Sequence, residues 1–159
     1  MSNEIVLNAS PIILFSKTGY FHVLRKLFDK MYIPRVVVQE IAVDASNETA
    51  TVLKEDGIVV HCNTQNNDKV ISWDLGIGET GVISFALANP AVRPVLGDAE
   101  AKACCLSLGI KPLGTGSVLI LAKRAGLLPS VKTVLLEMRS KGMWISDAVV
   151  DSISSKAGG

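Results

Sequence analysis

Cysteine is scarce in this chain: Cys62 stands alone, Cys104 and Cys105 are neighbours, and no C-x-x-C spacing occurs. An odd thiol is left over, so a disulfide framework is excluded. Only two histidines are present; His61 adjoins Cys62 but His22 is remote, and a structural zinc, which takes four such ligands, is not expected. Aromatic residues make up only 5% of the chain, so any core must be mostly aliphatic. No apolar run approaches the ~20 residues that cross a bilayer, and no signal-like segment precedes the first apolar run. A soluble protein of the reducing cytoplasm, with no membrane partner, is the expectation. The net charge is only +1. Contact with a polyanion would therefore have to come from a local patch and not from an overall basic field.

What the chain has instead is aliphatic patterning. At 48% hydrophobic over 159 residues it can bury a sizeable core in one domain, read as 1–159 with C-terminal helices from about 129 and a tail that frays after 154. Glu4–Leu7 reads as a short apolar strand. Ser10-Pro11 reads as a helix start, with Ser10 capping and proline at the first helical position. Phe21, Leu24, Leu27 and Phe28 recur at helical spacing. The valine run in 31–41 favours a strand by propensity, yet Pro34 suits a helix start. The reading is a strand at 32–33 and a helix over 34–42, in which Val36, Val37, Glu40 and Ile41 share a face. A polar helix within 44–56, a strand at 57–60 and a loop over 62–69 follow. Farther on, 111–113 reads as a short strand and 117–125 as a helix stopped at Gly126. Val131, Val134, Leu135 and Met138 make the buried stripe of another helix, and Ser146 caps the last.

The stretch 76–105 organises the rest. Gly78 opens a helix in which Glu79 heads an apolar stripe of Val82, Ile83, Ala86 and Leu87. Asn89-Pro90 closes it. Residues 94–97 form a short apolar strand with Asp98 at its carboxyl end, and Ala101, Cys104, Cys105 and Leu108 make the next helical stripe. Short apolar strands separated by helices predict a parallel sheet covered on both faces. Ligands of such sheets bind outside the carboxyl ends of the strands, at the point where the strand order reverses. Asn8 and Asp98 fall at such ends, and Thr115 follows a third.

Four polar positions, Asn8, Glu40, Glu79 and Asp98, are candidates to converge there. Carboxylates gathered in one place repel, by roughly 4 kcal/mol for two unit charges ~4 Å apart at an effective dielectric near 20. A divalent cation removes that repulsion, and hard oxygen ligands select magnesium or manganese. Carboxylates around such ions are a common solution for phosphodiester hydrolysis. Each residue also has an ordinary structural role open to it. Asn8 suits a strand-to-helix turn, Asp98 a helix cap, Glu79 a first helical turn, and Glu40 the rim of its helix.

A set of motifs in fixed order carries a family likeness. They are Val6-Leu7-Asn8-Ala9-Ser10-Pro11, Ile33-Pro34-x-Val36-Val37-x-x-Glu40-Ile41, Gly78-Glu79 before a helix, Val95-Leu96-Gly97-Asp98-x-x-Ala101, and Gly114-Thr115-Gly116-x-Val118-Leu119. Together they resemble the PIN-domain proteins, in a little-characterised branch of predicted nucleic-acid-binding members, over roughly residues 4 to 146. The resemblance implies a three-layer α/β/α fold with a mostly parallel central sheet. It also implies a ribonuclease dependent on Mg2+ or Mn2+, of the kind found as toxins beside an antitoxin protein. Asn8 occupies the place of the first family acid, Glu40 the second, Glu79 an additional acid and Asp98 the later metal-binding aspartate. Glu40, Glu79 and Asp98 are thus the implied metal ligands. Ser10 matches the small hydroxyl residue beside the first acid. Ser10, Lys17, Lys102 and Thr115 are the expected contacts to RNA.

Two departures bear on activity. Asn8 offers an oxygen but no charge, and the acid expected shortly after Thr115 is replaced by Gly116, Ser117 and Val118. Fewer charges mean weaker metal binding, so a degenerate domain that binds RNA or a protein without cutting is the alternative. A phosphatase-like use of Asp98 is a third reading, but it lacks a lysine arrangement to go with it. Lys123, Arg124, Lys132, Arg139 and Lys141 read either as a phosphate-binding strip or as a solvated face. Trp73 and Trp144 read as base-stacking or as packing residues. A mean hydropathy of +0.37 leads to the expectation of a homodimer.

Overall fold

Four short strands lie side by side at the centre: β1 (Glu4–Leu7), β2 (Lys30–Pro34), β3 (Val59–Cys62) and β4 (Val92–Val95). The computed structural model describes residues 3–158. All pairings are parallel, in the order β3-β2-β1-β4. Ile5, Val6 and Leu7 are each no more than 1% exposed. That lack of inside–outside alternation is what a strand covered on both faces shows.

Ten helices among the described residues cover the sheet, which makes the architecture the three-layer α/β/α of the sequence expectation. They are α1 (Ala9–Lys17), α2 (Phe21–Leu27), α3 (Arg35–Ala42), α4 (Asn47–Val52), α5 (Asp68–Ile71), α6 (Ile77–Ala88), α7 (Ala99–Ser107), α8 (Thr115–Arg124), α9 (Val131–Ser140) and α10 (Asp147–Ala157). Helix α6 packs on β1, β2 and β4, while α8, α9 and α10 pack on one another. The α9 stripe of Val131, Val134, Leu135 and Met138 is buried throughout. Each such side chain contributes roughly 1.5–3 kcal/mol by leaving water. No helix among the described residues is long and apolar enough to cross a membrane.

Several boundaries differ from the sequence expectation, each for a local reason. Helix α1 is capped at Asn8, not at Ser10. Pro11 then sits within the first turn, where the missing N–H has no intrahelical partner to lose. Strand β3 starts at Val59, two residues later than expected, because Gly57 takes φ +91° and Asp56 Oδ1 accepts the N–H groups of Ile58 and Val59. The expected strand at 111–113 reduces to one bridge, Val95 with Leu113. Pro112 has no N–H to extend it. Helix α8 opens at Thr115 and not at 117. Helix α10 continues to Ala157, past the point where fraying was expected, with Ser154 and Ala157 buried.

Candidate functional site

The strand order reverses between β1 and β4: the chain builds outward from β1 through β2 and β3, then returns to lay β4 on the other edge of β1. Leu7 pairs with Val95, and the Asn8 N–H donates to the Val95 carbonyl at 3.3 Å, so the two strand ends stay together up to the rim. The Leu96 N–H donates to the Leu113 carbonyl at 3.0 Å and draws in the segment before α8. Helices α1, α6, α7 and α8 are capped here by Asn8, Gly76, Asp98 and Gly114. Their unpaired N–H groups give this rim a partial positive charge, which suits an anion.

Asn8, Ser10, Glu79, Asp98 and Thr115 line one cleft of about 550 Å³, closed on one side by Lys141, Met143 and Trp144. Asn8 is only 6% exposed; its side chain makes no capping bond, and its Oδ1 is buried without a hydrogen-bond partner. Glu40 reaches it from α3. A Cβ placed on Gly78 would lie 2.9 Å from Glu40 Oε2 and 3.0 Å from Asn8 Oδ1. Both oxygens thus face one point that only a glycine leaves open. An unsatisfied buried acceptor costs about 1–3 kcal/mol, a cost that a cation or a donor would relieve.

The other candidate residues are placed with equal clarity. Asp98 Oδ2 accepts the Ala101 N–H at 2.9 Å, which caps α7 and holds the carboxylate in place. Glu79 curls back over the start of its own helix, its Oε2 against Gly76. Thr115 is buried at the first position of α8, and Ser10 is exposed in the first turn of α1. Lys102 rests against the head of α8: its Nζ lies 2.8 Å from where a Cβ on Gly114 would sit. Lys17 ends α1, about two turns from the rim, and lines neither this cleft nor its neighbour. The basic strip is mostly engaged elsewhere. Lys123 donates to the Pro129 carbonyl, Arg124 to that of Lys156, and Arg139 pairs with Asp147.

Thiol chemistry finds no support. Burial pushes the Cys62 thiol up to about 11 and Cys105 to about 12, so neither supplies a thiolate at neutral pH.

Sequence reasoning missed Gly78 as a site position and missed the loop from Lys141 to Trp144 as a wall of the cleft. Each left a signal. A glycine inside a helical stretch costs about 1 kcal/mol against alanine and marks a close approach. Gly142, with φ +111°, makes the turn that sends the chain back after α9.

The donors are hard oxygens, and the orphaned Asn8 Oδ1 beside a carboxylate suits a divalent ion. A cage of three carboxylates does not form: among the described residues no group of three or more His, Cys, Asp or Glu could hold a metal ion. Magnesium needs no such cage, since it keeps several waters and binds through one or two carboxylates and substrate phosphates. The residues therefore fit a loosely held, water-rich ion.

No curated protein and no solved structure matches the chain significantly. A family model described as a PIN domain matches residues 4–159. Such domains have a nuclease-like fold and are generally dependent on divalent metals. With the match spanning all four strands and the whole rim of the cleft, the chain belongs to the PIN-domain family.

Proposed function

We propose that this protein is an endoribonuclease that hydrolyses RNA phosphodiester bonds with the help of Mg2+ or Mn2+. The observation that carries the reading is the buried, unpartnered Asn8 Oδ1 facing the Glu40 carboxylate across Gly78, at the reversal point of the sheet. Asn8 and Glu40, whose oxygens face one point, would hold the ion directly, with Glu79 and Asp98 reaching it through water. When bound, the ion supplies an activated water and neutralises charge on the phosphate. The chain's own groups do the rest. Asp98 is held still by its cap on α7. Ser10 steadies the Asn8 turn, and Thr115 with the first N–H groups of α8 receives phosphate oxygens. Lys102 takes a flanking phosphate.

Titrating manganese or magnesium into the protein by calorimetry, alongside cleavage of single-stranded RNA, tests this. Saturable heat by millimolar metal and cleavage abolished by EDTA are expected; no heat at millimolar metal overturns the proposal. A second reading, a domain that binds RNA or a protein without cutting, is favoured by the neutral Asn8 and the missing three-acid cluster. Asn8→Asp separates the two. On the nuclease reading it raises metal affinity and cleavage about tenfold, because affinity follows ligand charge; on the second it leaves cleavage at zero.

The toxin role, with a small antitoxin protein as partner and the cytoplasm as compartment, belongs to the same proposal. So does a homodimer, for which exposed Val43, Ile77 and Leu106 offer apolar surface.

A further inference from the structure

We infer that Trp144 is the base-stacking residue of this site. The inference rests on the ribonuclease reading and adds to it a residue that binds the substrate. A second cleft, of about 490 Å³, adjoins the acid-lined one and carries Lys102 and Lys156. Gly97, Thr115, Met143 and Trp144 line both. Trp144 therefore borders both clefts, with Lys141 beside the acids and Lys102 and Lys156 in the neighbour. Its side chain is 94% exposed, more than any other large hydrophobic among the described residues. Packing does not account for it. Gly142, with φ +111°, turns the chain two residues before Trp144, and the exposed indole is open to whatever spans the two clefts.

Together the two adjoining clefts offer acids, an indole and cations. A single strand presents a matching set: the phosphate to be cut, a free base, and the next phosphate. Each unpaired base has a π-face to stack on an aromatic ring. A duplex keeps those faces buried against neighbouring bases and could fill only the charged parts of the clefts. Trp73, the other tryptophan, lines neither cleft.

In a Trp73→Phe background, indole emission reports Trp144 alone. A short oligouridine is titrated in calcium buffer, which supplies divalent charge to the acids. Saturable quenching is expected, with no quenching by a duplex of equal length. Trp144→Ala should weaken strand binding about tenfold, Trp144→Phe should recover most of it, and Lys102→Ala should weaken binding and flatten its salt dependence. Manganese titration of Trp144→Ala should match the parent protein. A strand that binds without quenching, a duplex that binds equally well, or unchanged binding by Trp144→Ala overturns the inference and leaves the nuclease reading standing. So does emission already shielded from iodide in the free protein, which would assign Trp144 to a protein interface. Absence of both strand binding and metal heat in the parent protein overturns the two together.

Discussion

The two ends of the central sheet treat their polar groups in opposite ways. At the amino end, the Tyr32 hydroxyl donates to Glu4 at 2.8 Å, the Asn3 N–H donates to Asp29 at 2.7 Å, and Arg25 pairs with Asp56. The N–H of Val59, followed by Arg25, holds the Asp56 carboxyl below the usual aspartate range. At the carboxyl end, Asn8 Oδ1 is buried without a partner, and among the described residues the Glu40 and Glu79 side chains accept no hydrogen bond. The residue types are alike and the sheet is the same. Buried polar groups are nearly always paired in folded proteins, so the buried Asn8 Oδ1 is the exception, while Glu40 and Asp98 are exposed to water. One end is finished by the chain itself; at the other Asp98 is held by its cap and Asn8 is left for a ligand to finish.

The largest effect that would sharpen this contrast is on Asp98. Asp98→Asn keeps the helix cap, since asparagine caps as well as aspartate, and removes only the charge. Cleavage should fall about 100-fold or more while the thermal midpoint barely moves. Equal cleavage would mean that the carboxyl end serves stability as the amino end does.

Gly78→Ala comes next. The added methyl would occupy the point that Glu40 Oε2 and Asn8 Oδ1 both face. Metal affinity by calorimetry should drop about tenfold, even though alanine in a helix is favoured by about 1 kcal/mol over glycine. A variant that is merely more stable, with affinity unchanged, breaks the comparison.

The smallest effect lies at the amino end. Tyr32→Phe should cost about 1 kcal/mol in denaturant unfolding at neutral pH and leave metal binding untouched. Burial first, and then the bond to Glu4, raise the Tyr32 pKa above its ordinary 10.0. The proton is held more tightly in the folded state, so this contribution is complete below pH 10.0 and fades as pH rises through the raised value. The difference between parent and variant should therefore shrink in alkali.

Much of the fold was legible because the signals are local. Glu4–Leu7 is apolar on both faces, the α9 stripe repeats at helical spacing, and Ser146 caps α10 as its position suggested. Asn8 and Asp98 were recognisable as site positions because an apolar run ends just before each. The starts of α1 and β3 were misplaced by two residues; at β3 the Asp56 side-chain turn, not hydrophobicity, sets the boundary, and at α1 the Asn8 side chain makes no capping bond. Lys102 could be suspected from its nearness to Asp98 in sequence. Its contact with Gly114 could not, since that depends on how α7 meets α8.

By itself the sequence placed the four strands to within about two residues, although it also expected a strand at 111–113, and determined that the sheet is buried on both faces and that acids stand at the openings of helices. Those follow from periodicity and capping over a few residues. The return of β4 to the free edge of β1, the approach of Glu40 to Asn8 over Gly78, and the turn that brings Trp144 to the cleft were decided only in three dimensions. Each joins residues far apart along the chain, and their meeting depends on how whole elements pack.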